Sequence, residues 1–114
     1  MGQKYVLIVP LAGDLERTRS QGIILGRRTQ KACFHAFAVA ERWRASVEPI
    51  ILLTAGKAGE RYEGISMAAA MEDFIVEKTH ARTERFDADE FTTLGEIIAT
   101  AKFVLRVRPR SPQP

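Results

Sequence analysis

Cysteine, histidine and long apolar runs are all scarce in this sequence, and each shortage removes a class of function. Among 114 residues there is one cysteine, Cys33. A lone thiol forms no intramolecular disulfide, which excludes a disulfide-stapled secreted scaffold and suits a reducing, cytoplasmic setting. The two histidines, His35 and His80, stand without metal-ligand spacing. Cys33 and His35 are two positions apart and diverge on a helix, so neither a metal pair nor a thiolate–imidazole pair is expected. A G-x-S-x-G nucleophile elbow and a G-x-G-x-x-G dinucleotide loop are both absent.

No stretch approaches the ~20 apolar residues of a membrane span. The run from Tyr5 to Ala12 is of strand length and lacks the extended apolar region of a signal peptide. Val6 occupies the position where a myristoylation motif needs Ser or Thr. The net charge is +3, and much of that excess falls at Arg106, Arg108 and Arg110, interleaved with prolines. With no basic stripe carrying aromatics along a helix, a nucleic-acid footprint is not expected.

What is present is ordinary in composition and informative in order. A hydrophobic fraction of 46% with 27% charged residues belongs to a globular domain, and the length allows one. Tyr5 to Pro10 and Ile50 to Ala55 are continuous apolar runs, the pattern of strands buried on both faces. Each leads into a glycine loop and then a helical pattern. Leu11 to Gly26 reads as a long loop with a short strand at Gly22 to Leu25. Arg27 to Ala45 predicts a helix whose stripe is Cys33, Ala36, Phe37, Ala40 and Trp43, and Ser66 to Lys78 a second with Ala68, Met71, Phe74 and Ile75 inward. A third strand is expected around Thr83 to Phe86, followed by an acidic turn. Thr93-Leu-Gly-Glu96 has the spacing of a capping box, opening a third helix whose buried stripe would be Leu94, Ile97, Ile98 and Ala101. Residues 1–105 thus form one domain, and the Arg/Pro-rich stretch 106–114 reads as a disordered tail.

The fold expected is a three-layer α/β/α, Rossmann-like domain with a short, mainly parallel sheet and three main helices. In this class, loops and helix N-termini gather at the carboxyl edge of the strands, where small ligands bind.

The units come in an order that resembles the YdcF-like family, a domain of unknown function that includes SanA- and ElyC-type proteins. The residues that carry the resemblance are Val6 to Gly13, Arg28-Thr-Gln-Lys-Ala32, Ile50 to Gly56, Ser66-Met-Ala68 and Thr92-Thr-Leu-Gly-Glu96. Met67 stands where the family has a Glu, and the family continues into a further strand with a Thr-Ser turn, so the chain resembles the front two-thirds of such a domain. The resemblance implies ligands such as S-adenosylmethionine in one case and polyprenyl-phosphate or envelope metabolism in others.

The candidate ligand-binding residues are Gly13, Arg28, Gly56, Lys57, Ser66, Asp87 and Thr92. Gly56-Lys-Ala-Gly59 offers backbone amides and an ammonium to an anion, although Ala58 excludes a Walker loop. Arg28 opens a helix against its dipole, which points to an anion nearby. Asp87 follows a strand and suits a ribose hydroxyl, while Thr92 is left over once Thr93 caps the helix. Ser66 reads first as an N-cap. The expected function is binding of a small anionic or nucleotide-like ligand, with no catalytic group assigned. The alternative is a non-catalytic interaction or oligomerisation module whose uncovered apolar surface a partner, such as a second copy, must bury.

Overall fold

The computed structural model describes residues 4–107 and has the expected α/β class. Its elements are β1 (Tyr5–Ile8), β2 (Leu15–Thr18), β3 (Gly22–Leu25), α1 (Arg27–Trp43), β4 (Glu48–Leu53), a 3-10 turn (Glu60–Tyr62), α2 (Met67–Lys78), β5 (Thr83–Arg85) and α3 (Thr93–Val107). The strand order is β1-β4-β5, with both pairings parallel. Each parallel step needs a crossover helix, and α1 and α2 supply them. Both crossovers move the same way across the sheet, so equal handedness puts both helices on one face.

Alternation along β4 divides the core in two. Ile51, Leu53 and Ala55 join Cys33, Ala36 and Ala40 of α1 and Met67, Ala68, Met71 and Ile75 of α2 in a single cluster. Ile50, Leu52 and Thr54 are also buried but turn to the opposite face, where α3 lies with Glu96, Ala99 and Phe103 inward. Burial raises the Cys33 thiol to about 11, so it remains protonated and acts as a small core residue.

Four expectations need correction. Leu11 to Gly26 is not a long loop: β2 and β3 pair as an antiparallel hairpin, with Gly22 at φ +70° closing the turn. The hairpin buries Leu15 and Leu25 in the main cluster, and Arg17 Nη2 donates to the Arg61 carbonyl at 2.8 Å, so the segment is pinned beside α2. Trp43 is exposed at the end of α1 rather than inward. The third helix continues to Val107, past the expected start of the tail at 106, and 108–114 lie outside the described residues.

The largest correction concerns α3. Leu94, Ile97 and Ile98 are 64%, 57% and 47% exposed, and Ala101 is exposed as well. The inward face is instead the narrow row of Glu96, Ala99 and Phe103, with Phe103 meeting the Phe86 ring edge-on at 6.4 Å.

Candidate functional site

The carboxyl edge of the sheet collects the end of β1, the end of β4, the segment after β5 and the N-termini of all three long helices. The expected site residues all lie there, yet several are held by partners from the chain itself. Helix α1 opens at Gly26 with no side-chain cap of its own. Asp14 serves instead: its carboxylate accepts from Thr29 N at 3.2 Å, while Thr29 Oγ1 receives the amides of Gly13 and Asp14 at 3.1 and 2.7 Å. The anion that Arg28 implied is therefore present as Asp14. A β-carbon at 26 would collide with that carboxylate, which explains the glycine.

Ser66 caps α2 as expected, accepting from Ala69 N at 3.2 Å, and it donates to Asp87 Oδ2 at 2.9 Å. Arg85 grips the same carboxylate in bidentate fashion at 2.8 and 3.0 Å. These bonds, led by Arg85, hold the Asp87 carboxyl below its usual range. Asp87 is thus occupied, which weakens its case for a ribose hydroxyl. Gly56 is pressed from outside: a β-carbon there would lie 2.8 Å from the Glu90 carbonyl oxygen. The loop after β4 is therefore packed by the 88–90 backbone.

At α3 the capping residue is Thr92, whose Oγ1 accepts from Gly95 N at 2.9 Å. The box expected at Thr93 is displaced by one residue, and Thr92 is not left over for a ligand. Glu96, freed from capping, crosses to the first strand's loop and accepts from Ala12 N at 3.2 Å. It is 4% exposed, and no cation is paired with it among the described residues. Burial pushes its carboxyl above the usual range, against the opposing pull of the Ala12 amide and the Thr54 hydroxyl. Thr54 itself is fully buried, and its hydroxyl completes no hydrogen bond of standard geometry. It approaches Glu96 closely enough to favour the charged carboxylate without forming a proper bond.

Glu96 and Thr54 are the residues that sequence reasoning missed. Thr54 looked like one more strand residue, and Glu96 was absorbed by the Thr-x-x-Glu spacing. The available signal was the doublet Thr92-Thr93: a cap at the first threonine puts Gly95, not Glu96, three residues on.

Glu96 lines a groove of about 390 Å³ between the end of β1 and α3, with Val9, Leu11, Ile97, Thr100 and Ala101. Arg28 and Lys57 are exposed at the same sheet edge and have no ion partner among the described residues. A larger groove of about 650 Å³ lies at the opposite, amino edge among Lys4, Arg44, Glu48, His80 and Arg82. Its arginines are already neutralised, Arg44 by Glu41 and Arg82 by Glu48 and Glu84. Among the described residues, no group of three or more His, Cys, Asp or Glu could hold a metal, and no helix is long and apolar enough to cross a membrane. No family model, curated protein or solved structure gives a significant match to the chain, so its likeness to the YdcF-like family rests on the order of its motifs alone.

Proposed function

We propose that the domain binds a small nucleotide-like ligand at the carboxyl edge of its sheet, in the crevice where β1, β4 and α3 meet. Support comes above all from Thr54: a buried hydroxyl without a partner, beside a buried carboxylate without a cation. Such groups cost stability, typically about 1–3 kcal/mol each, and a site that uses them in binding is one reason for a fold to carry that cost. Glu96 is the acceptor for a ligand hydroxyl, the role an acidic residue plays toward ribose in dinucleotide folds. Thr54 is a positioning residue that steadies the carboxylate when the ligand draws on it. The exposed cations Arg28 and Lys57 serve the phosphate or other anionic part, in the roles the sequence suggested for them.

A thermal-shift titration with S-adenosylmethionine, nucleotides and sugar or polyprenyl phosphates tests this reading. A ligand at 100 times its Kd stabilises the fold by about 2.7 kcal/mol, an easily measured rise in Tm. The expected result is a rise with one of these probes that shrinks in Glu96→Gln and Thr54→Val while both variants still melt cooperatively. No rise with any probe, or a rise unchanged in both variants, would remove the crevice as the site.

A further inference from the structure

The outward face of α3 is the most unusual surface of the molecule. Leu94, Ile97, Ala101 and Val104 follow a three-four-three spacing, the seam of a helix that pairs with another helix. Ile98 and Leu105 widen that seam, and Leu105 is 67% exposed. Phe91 and Leu11, at 41% and 46%, extend the patch at its two margins. Grooves run on both sides of the helix: the one with Val9, Leu11, Ile97 and Ala101, and a second of about 610 Å³ whose lining includes Asp89, Glu90, Leu94, Ile98 and Lys102.

From the fractional exposures, these side chains present roughly 600 Å² of apolar surface per copy, close to the ~800 Å² that one partner contributes to a standard interface. A monomer rarely leaves that much contiguous apolar surface to water.

The charges around the patch select the occupant. Asp89 and Glu90 precede α3, whereas Lys102 and Arg106 sit in its last turns and no acid follows Glu96 within the helix. The intrachain Lys102–Asp89 pair is long, at 3.9 Å, and exposed, so it competes weakly. A patch acidic at one end, basic at the other and apolar between is complementary to itself when turned through a two-fold axis. An antiparallel arrangement also opposes the two helix dipoles, whereas a parallel one sets like charge against like.

We infer that the α3 face is an isologous interface for a second copy of this chain, with the two α3 helices antiparallel. This inference is independent of the ligand crevice, since it needs neither Glu96 nor Thr54.

Sedimentation equilibrium of the full chain, from about 1 µM to about 500 µM, provides the test. The expected mass at the upper end is twice the 12.7 kDa of one chain. Ile97→Glu and Leu105→Glu, both at exposed positions, are expected to give monomers with unchanged circular dichroism. Lys102→Glu with Arg106→Glu weakens the dimer by about tenfold or more, and adding Asp89→Lys and Glu90→Lys to the same chain restores it. A chain that stays monomeric throughout overturns the inference, whether or not it floats with lipid vesicles. So does a dimer indifferent to both Glu substitutions. A dimer that the combined charge inversion fails to restore overturns the antiparallel arrangement.

Discussion

Glu96 shows how one carboxylate can change role when a helix cap shifts by a single position. Its folded pKa is raised by burial, so between the unfolded value and the folded one the native state holds more protons than the unfolded chain. Stability therefore falls as pH rises through that window. Glu96→Gln keeps an acceptor for the Ala12 amide and removes the titration, so its urea-melt stability should vary less between pH 5 and pH 7.5 than that of the parent. An equal slope in both proteins would assign the pH dependence to other groups. Asp87 acts with the opposite sign: its lowered pKa contributes stability that is present above the unfolded value and lost as pH falls through the folded one. Thr54→Val trades an unbonded hydroxyl for a methyl of similar shape, and should stay within about 1 kcal/mol of the parent. It should compare more favourably at pH 5, where Glu96 no longer needs the hydroxyl. A loss of more than about 2 kcal/mol at both pH values would mean that the hydroxyl is bonded after all.

At the scale of elements, the two apolar runs and the helices between them were readable because each buries a continuous face. The hairpin was not, since Leu15-Glu-Arg-Thr18 carries one apolar residue in four and acquires its strand conformation by pairing with Gly22 to Leu25. The cap of α3 was ambiguous for a local reason: two adjacent threonines can each accept a hydrogen bond from an amide three residues on. Substitution separates them. Thr92→Ala should cost about 1 kcal/mol, and Thr93→Ala a few tenths at most, read as Tm or urea midpoint. Equal losses would restore Thr93 as the cap. Ser66→Ala should cost more than a simple cap, because Asp87 also loses a donor in the same step.

For the whole molecule, the question is where apolar surface goes when a three-stranded sheet is covered on one face by two helices and on the other by one. The α1/α2 face is filled. On the other face α3 uses a narrow row, and its broad stripe is left outward. If a second copy covers that stripe, the melting temperature of the chain rises with protein concentration, and Ile97→Glu abolishes the dependence. A Tm independent of concentration would argue against the pairing.

The sequence by itself determined the α/β class, the two buried strands, the helices and the cap at Ser66, because these follow from local periodicity and the hydrogen-bonding habits of single residues. It also brought the candidate residues to one edge of the sheet, since alternating strand and helix leave the loops no other place. Tertiary structure alone decided that Asp14 and Asp87 are occupied by the chain's own donors, that Glu96 and Thr54 are buried together, and which face of α3 turns inward. Those outcomes depend on which segments meet across eighty or more residues, and a helix with apolar side chains on both flanks carries no local mark of the flank the sheet will choose.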